Sequence, residues 1–380
     1  MNKFLHYAQP CINSSDKRLV EKALFSGILT AGKNVENFEN KFSDLCKSKY
    51  SVACSSGTTA LHLLALALEV NKETSVIVPS ITFMASANAF KILGANIILC
   101  DVDQNSGLIS VEKISKIIRE VPKNHKIIVV VVHLGGRIVD TKSIKEILTK
   151  RKGVIIEDAC HATGSYIKDK SGIDYVGSCR HSLASTFSFH PTKTFTTGEG
   201  GAITTNHKQL KDKLKILRNH GFVKKNGYYH QIKMSLNFRL SELNAALGCS
   251  QISRIEKVRS QRNILRKRYY KNLVANNLIK TYEDRGKNLL DHLFQVKINF
   301  KKLKKAREKI MLYLFSKNIG TQIHYKPLYS HKVYKNLFTE NKFNGTKIFF
   351  DKTLTLPFHN NLTTKDIDYI SQNLTEYILK

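Results

Sequence analysis

No stretch of the 380 residues approaches the roughly eighteen consecutive apolar side chains that a membrane-spanning helix needs. The opening Met1-Asn2-Lys3-Phe4-Leu5-His6 also lacks an apolar run after its lysine, so no secretory signal is read there and a soluble, cytoplasmic chain is expected. The seven cysteines, at 11, 46, 54, 100, 160, 179 and 249, include no CxxC or CxxH pair. That argues against a zinc site and a disulfide framework, and for a reducing compartment. Repeats, low-complexity tracts and a disordered tail are absent too. Acidic residues are scarce: 30 Asp and Glu stand against 61 Lys and Arg, a formal net charge of +31. Such an excess can attract nucleic acid or anionic membrane, and Lys301, Lys302, Lys304, Lys305, Arg307 and Lys309 cluster. No helix-turn-helix, zinc-finger or aromatic RNA-binding motif accompanies them, and lysine is dispersed along the chain with abundant Asn and Ile. Compositional drift accounts for this, and specific nucleic-acid binding is not expected.

What is present reads as an α/β protein. Short apolar strands at Tyr50 to Cys54, Val76 to Val78, Ile97 to Leu99, Ile127 to Val132 and Val154 to Ile156 alternate with amphipathic helical stretches, which predicts a large, mainly parallel sheet covered on both faces. After Arg239 helical periodicity runs through Asn276, followed by a strand at Leu293 to Ile298, a basic helix near Leu303 to Ser316 and a last helix from Thr364 to Leu379. Thr363-Thr364-Lys365-Asp366 reads as the entry of that last helix. The expected organisation is a large domain over 1–240 with an N-terminal helical segment, a helical connector over 241–278 and a smaller C-terminal α+β domain over 279–380.

The chemistry concentrates around Lys193. Ala184 to Phe189 reads as a strand entering the core, followed by His190-Pro191-Thr192-Lys193-Thr194-Phe195-Thr196-Thr197-Gly198-Glu199-Gly200-Gly201, whose glycines permit tight turns and close backbone approach. A solvated lysine has no need of such neighbours. Upstream, Gly153-Val154-Ile155-Ile156-Glu157-Asp158 is a buried-type strand with two carboxylates at its C-terminal end, where open α/β sheets place ligands. A lysine amine to form a Schiff base and a carboxylate to keep a pyridine nitrogen protonated are the two groups that pyridoxal phosphate requires. Lys193 and Asp158 fit them, although Asp158 also suits a helix cap.

A phosphate needs a cradle. Ser56-Gly57-Thr58, between a strand and a helix, offers hydroxyls and free N–H groups, and Ser188 adds another hydroxyl; an ordinary Ser/Thr cap reads the same way. Phe83, in Pro79-Ser80-Ile81-Thr82-Phe83, suits either stacking on a pyridine ring or plain core.

These motifs resemble the DegT/StrS family of nucleotide-sugar aminotransferases nearly end to end: Leu29-Thr30-Ala31-Gly32-Lys33, Ser56-Gly57-Thr58, Pro79 to Phe83, Glu157-Asp158-Ala159-Cys160-His161-Ala162, the lysine block, and Asn237-Phe238-Arg239-Leu240-Ser241-Glu242. The resemblance implies the aspartate aminotransferase-like fold of pyridoxal-phosphate enzymes, fold type I. It implies Lys193 as the Schiff-base lysine, Asp158 as the partner of the pyridine nitrogen, and Ser56, Gly57, Thr58 and Ser188 as the phosphate cradle. It further implies His161 beside the ring hydroxyl, Lys33 among the substrate contacts, and Asn237 reaching the phosphate of a neighbouring subunit, hence a homodimer with shared active sites. Asn237 also reads as a loop residue capping the helix that starts near Ser241.

Some relatives replace the lysine by histidine and dehydrate sugars. Here the lysine is present, which favours transamination over dehydration or a non-enzymatic sensor. A narrower resemblance, to the pseudaminic-acid branch of the family, lies in Gln322-Ile323-His324-Tyr325-Lys326-Pro327-Leu328-Tyr329 and Val333 to Phe338. It implies a UDP-linked 4-keto-6-deoxy-N-acetyl hexose as acceptor and L-glutamate as donor, with bacillosamine-, perosamine- and aminoarabinose-type reactions as neighbours. His324, Tyr325 and Lys326 suit a nucleotide sugar, an aromatic face for a ring and a cation for a diphosphate, or else form a surface turn with an incidental lysine. The overall positive charge would assist capture of the diphosphate.

Overall fold

The protein is described from a computed structural model over residues 3–169, 172–274, 278–282, 288–338 and 340–379. Its centre is a seven-stranded sheet made of β1 (Tyr50–Cys54), β2 (Thr74–Pro79), β3 (Asn96–Cys100), β4 (Lys126–Val132), β5 (Val154–Asp158), β8 (Ala184–Ser188) and β9 (Gly201–Thr205), in the order β1-β9-β8-β5-β4-β2-β3. Two small hairpins complete the numbering in this half, β6 (Tyr166–Asp169) with β7 (Gly172–Tyr175), and β10 (Phe222–Lys225) with β11 (Tyr228–Gln231).

The expected two-sided burial is visible residue by residue in β4. Ile128, Val130 and Val132 join the core under the helices Gly57–Ala67 and Ala85–Lys91, while Ile127, Val129 and Val131 join the core under Val111–Glu120 and Thr141–Thr149. A continuous apolar run is what a strand covered on both faces requires. The strands β2, β3, β4, β5 and β8 run parallel. β9 pairs antiparallel with both β1 and β8, and this strand was not anticipated. It begins at two adjacent glycines that read as loop, and only the tertiary structure shows why Gly201 stands there: a Cβ would lie 2.2 Å from the Ser56 carbonyl oxygen.

A second, antiparallel sheet is built from β12 (Ile279–Thr281), β13 (Phe294–Ile298) and β14 (Thr353–Leu356). It shares a separate apolar core with residues of the helices Ile255–Leu273, Arg307–Ser316 and Thr364–Leu379, including Leu265, Val296, Leu314 and Ile370. The last helix enters as expected, Thr363 Oγ1 accepting from Asp366 N at 3.2 Å while Asp366 Oδ2 accepts from Thr363 N at 2.8 Å.

Two expected helices are divided. The stretch after Arg239 breaks at Ser253–Arg254 into Glu242–Ile252, which packs on the N-terminal helices Ser14–Leu24 and Lys33–Cys46, and Ile255–Leu273; its expected end, Asn276, lies outside the described residues. The basic helix starts at Arg307, because Lys304 adopts φ +53° and closes a separate short turn, Phe300–Leu303. Arg307 leaves the surface cluster: it is buried and donates to the Thr353 carbonyl. Among the described residues no helix is long and apolar enough to cross a membrane.

Candidate active site

The C-terminal ends of β5 and β8, the loop after β8 and the start of the helix Gly57–Ala67 converge on a cavity of about 610 Å³. Parallel strands point their C-terminal ends to one side, so ligand-binding residues far apart in sequence meet there. Ser56, Gly57, Thr58, Phe83, Asp158, His161, Ser188 and Lys193 all line this cavity, as do His324, Tyr325 and Lys326. Lys33 and Asn237 do not. Lys33 is the exposed first residue of Lys33–Cys46, and Asn237 is exposed with its side-chain oxygen accepting from Arg239 N at 3.1 Å. Asn237 does not cap the following helix either; Ser241 does, through Asn244 N.

Lys193 faces the cavity, and its amine has no hydrogen-bond or ion-pair partner among the described residues. Burial pushes its pKa below the usual lysine value, with Cys160 and Asp158 opposing that shift. Burial penalises the ammonium, so the nucleophilic neutral amine is more populated than on a surface lysine.

Asp158 ends β5 without capping a helix; a turn follows. Its Oδ2 accepts from Ser86 Oγ at 2.6 Å, its Oδ1 from Cys160 N at 3.3 Å, and Ser86 in turn meets Thr82 Oγ1 at 2.8 Å. The adjacent Glu157 points to the other face of the sheet. There His133 Nε2 at 2.9 Å, Ser182 and Ser185 surround it; burial alone would raise this carboxyl, but those hydrogen bonds hold it below the ordinary value. The two carboxylates of one strand end are thus divided between site and scaffold by the two-residue period of the strand.

Ser86 was not read from the sequence, although its spacing of four from Thr82 is a local signal. Ser86→Ala removes a buried hydrogen bond to a carboxylate, a type of interaction contributing about 1.5–3 kcal/mol, so affinity for pyridoxal phosphate should fall roughly tenfold to a hundredfold. Equilibrium dialysis checks this; unchanged affinity would mean that the Cys160 N–H suffices to hold the carboxylate.

At the cradle, both expectations for Ser56 meet. Its hydroxyl is committed to the cap, accepting from Thr59 N at 3.1 Å, while Thr59 Oγ1 accepts from Ser56 N at 2.9 Å. The donors left for an anion are the Gly57 and Thr58 N–H groups and the Thr58 hydroxyl, none with a partner among the described residues. Gly57 is required by space: a Cβ there would lie 2.7 Å from Ser188 Cβ. Unfilled helix N–H donors, an unpartnered amine and a carboxylate braced by a hydroxyl fit pyridoxal phosphate at its phosphate, aldehyde and ring nitrogen.

Phe83 is 49% exposed, which excludes the plain-core reading; its ring stands 5.9 Å from Tyr325 across the cavity wall. His324 and Tyr325 are not a surface turn. His324 is buried, with Nδ1 2.9 Å from Thr355 Oγ1 and its pKa lowered by burial to about 3. Tyr325 Oη lies 3.0 Å from His161 Nε2. Lys326 remains exposed at the cavity edge. Tyr7 and His292 also line the site and were not given roles from the sequence; His292 sits beside β13 without a motif, and only the fold brings its ring 4.6 Å from His161.

The paired motifs near Lys33 and Asn237 have a structural explanation. Glu242 carboxylate oxygens accept from Gly32 N and Asn34 N, each at 2.8 Å, and from Val35 N at 3.1 Å. A residue 210 positions away caps the helix Lys33–Cys46, where a negative charge is favoured.

Residues 10–375 match the model of the DegT/DnrJ/EryC1/StrS aminotransferase family. The chain belongs to this family. It is a pyridoxal-phosphate-dependent aminotransferase, and its seven-stranded sheet is that of fold type I. Over 378 residues, covering 98% of this chain and 97% of the relative, it is 34% identical to UDP-4-amino-4,6-dideoxy-N-acetyl-β-L-altrosamine transaminase of Campylobacter jejuni subsp. jejuni serotype O:23/36 (strain 81-176). It is 31% identical over 381 residues, 99% of each chain, to GDP-perosamine synthase of Escherichia coli O157:H7. Among solved structures, Helicobacter pylori PseC, an aminotransferase involved in the biosynthesis of pseudoaminic acid, superposes with a TM-score of 0.90 at 28% identity, over 99% of this chain and 100% of that one.

Proposed function

We propose that this aminotransferase converts a UDP-linked 4-keto-6-deoxy-N-acetyl hexose to the 4-amino sugar nucleotide, with L-glutamate as amino donor. The observation that carries the reaction type is the unpartnered Lys193 amine facing the same cavity as Asp158. The altrosamine transaminase relative supports the choice of sugar. When bound, pyridoxal phosphate supplies a carbonyl carbon that exchanges amines and a ring that accepts the electron pair left by C–H cleavage.

The chain's own residues do the rest. Lys193 would hold the cofactor covalently, and its amine, when free, would carry the proton between the reacting carbons. Asp158, braced by Ser86, keeps the ring nitrogen protonated. Gly57 and Thr58 donate to the phosphate from the helix N-terminus, with Ser188 beside them. Phe83 would stack on the ring face, and His161 would stand beside the ring oxygen. Lys326, at the cavity edge, meets the nucleotide diphosphate, whereas His324 lies too deep for that and shapes the sugar pocket. Lys33 and Asn237 serve the site of a second subunit in a cytoplasmic homodimer with shared active sites.

The test is a half-reaction followed by absorbance. Glutamate will bleach the visible band of the lysine-bound cofactor, and the band will return with the UDP-linked L-arabino 4-keto sugar. Return only with a D-xylo sugar would assign another UDP-sugar pathway. Return only with a GDP-linked keto sugar would favour the perosamine-type reaction, the second reading, which the 31% identical relative supports.

A further inference from the structure

The hydrogen bonds around His161 are directional, and they fix the position of a proton. Gly135 N donates to His161 Nδ1 at 3.2 Å. A backbone N–H can only donate, so Nδ1 carries no hydrogen and the neutral ring must carry its hydrogen on Nε2. That Nε2–H points at Tyr325 Oη, 3.0 Å away. Tyr325 therefore accepts from His161, which leaves its own O–H free to donate to a group in the cavity that Tyr325 lines. No acceptor for this O–H is found among the described residues. The two rings lie nearly parallel, 28° apart with centroids at 5.9 Å, so the arrangement is held by packing as well as by hydrogen bonds.

The surroundings keep these protonation states. Burial first, then the positive charges of Lys193 and Arg137, hold His161 far below the usual histidine value, in its neutral form. Burial first, then the Asp158 charge, holds the Tyr325 phenol well above its ordinary value, as does burial for Cys160. His292 is likewise held neutral, and Tyr7 protonated, chiefly by burial.

We propose that Tyr325 is a fixed O–H donor to the ring oxygen of the cofactor, aimed by the Gly135 N–H through His161. This rests on reading the cavity as a pyridoxal site. With the aldehyde carbon at Lys193 and the ring nitrogen at Asp158, the ring oxygen adjoins the aldehyde carbon. His161 has already committed its only N–H, and the Tyr325 hydroxyl bonded to it carries the adjacent uncommitted O–H for that oxygen. Tyr325 thus acts on the cofactor's electronics instead of stacking on a nucleotide base, and a hydrogen bond to the oxygen favours its anionic form. The anion then holds less tightly the proton on the nitrogen that links Lys193 to the cofactor.

The experiment is a pH titration of the visible band of holoenzyme reconstituted with pyridoxal phosphate. Tyr325→Phe should raise the titration midpoint by roughly one pH unit, the scale of one charge-assisted hydrogen bond. His161→Asn keeps an acceptor near Gly135 but loses the donor to Tyr325; it should move the midpoint in the same direction by less, and the double variant should move it no further than Tyr325→Phe alone. A midpoint unchanged by Tyr325→Phe overturns the inference while the cofactor reading stands, and additive shifts in the double variant overturn the relay. A wild-type protein that forms no visible band with added pyridoxal phosphate overturns both.

Discussion

Lys193→Ala will lower transamination by roughly 10⁴-fold or more, and the variant will bind pyridoxal phosphate without forming the visible band. The magnitude follows from the two tasks of this one amine. Covalent attachment splits a difficult exchange into easier steps, and proton transfer by a positioned base typically contributes about 10²- to 10⁴-fold by itself. The buried groups beside it are poor substitutes: burial lowers the pKa of His161, His292 and His324 so far that they are weak proton acceptors, and it holds the Tyr325 phenol protonated. The loss should appear in single-turnover measurements with glutamate, with the circular dichroism of the folded protein unchanged. A visible band of ordinary intensity in Lys193→Ala would assign the covalent link to another amine.

Asp158→Ala will weaken cofactor binding by roughly 10²- to 4 × 10³-fold and nearly abolish turnover. Removing one partner of a buried charged pair costs about 3–5 kcal/mol, and here the orphan is the protonated pyridine nitrogen. Deletion also leaves Ser86 Oγ and Cys160 N without their acceptor. Spectroscopic titration of apoprotein with pyridoxal phosphate measures the affinity. Asp158→Asn separates charge from shape, since it retains acceptor capacity for Ser86 but not the negative charge, and should lose most of the rate. Normal affinity and rate in both variants would remove Asp158 from the proposed mechanism.

Much of this was legible in the chain because the decisive residues lie in contiguous segments at strand ends. Lys193 follows β8 within five residues, Asp158 is the last residue of β5, and Ser56 precedes the first turn of a helix. A parallel sheet brings such ends together whatever the loop lengths, so recognising strands and turns sufficed to gather the lysine, the carboxylate and the cradle. Residue chemistry was less legible where one side chain can serve two purposes. Ser56 was read as cradle or cap; its hydroxyl proved to be the cap, and beside the Thr58 hydroxyl the free donors are the Gly57 and Thr58 N–H groups, which no side-chain pattern displays. Arg307, counted with the surface lysines, is buried.

By itself, then, the sequence determined the fold class and the family and pointed to the candidate reacting groups, since hydrophobic period, strand-end position and local motif are all short-range properties. Only the tertiary structure decided how those groups are held. Ser86 braces Asp158 across 72 positions, Tyr325 meets His161 across 164, and Glu242 caps a helix across 210. Each of these contacts depends on where two separate elements pack, to within the few tenths of an ångström that a hydrogen bond tolerates, and no local pattern in either segment encodes that distance.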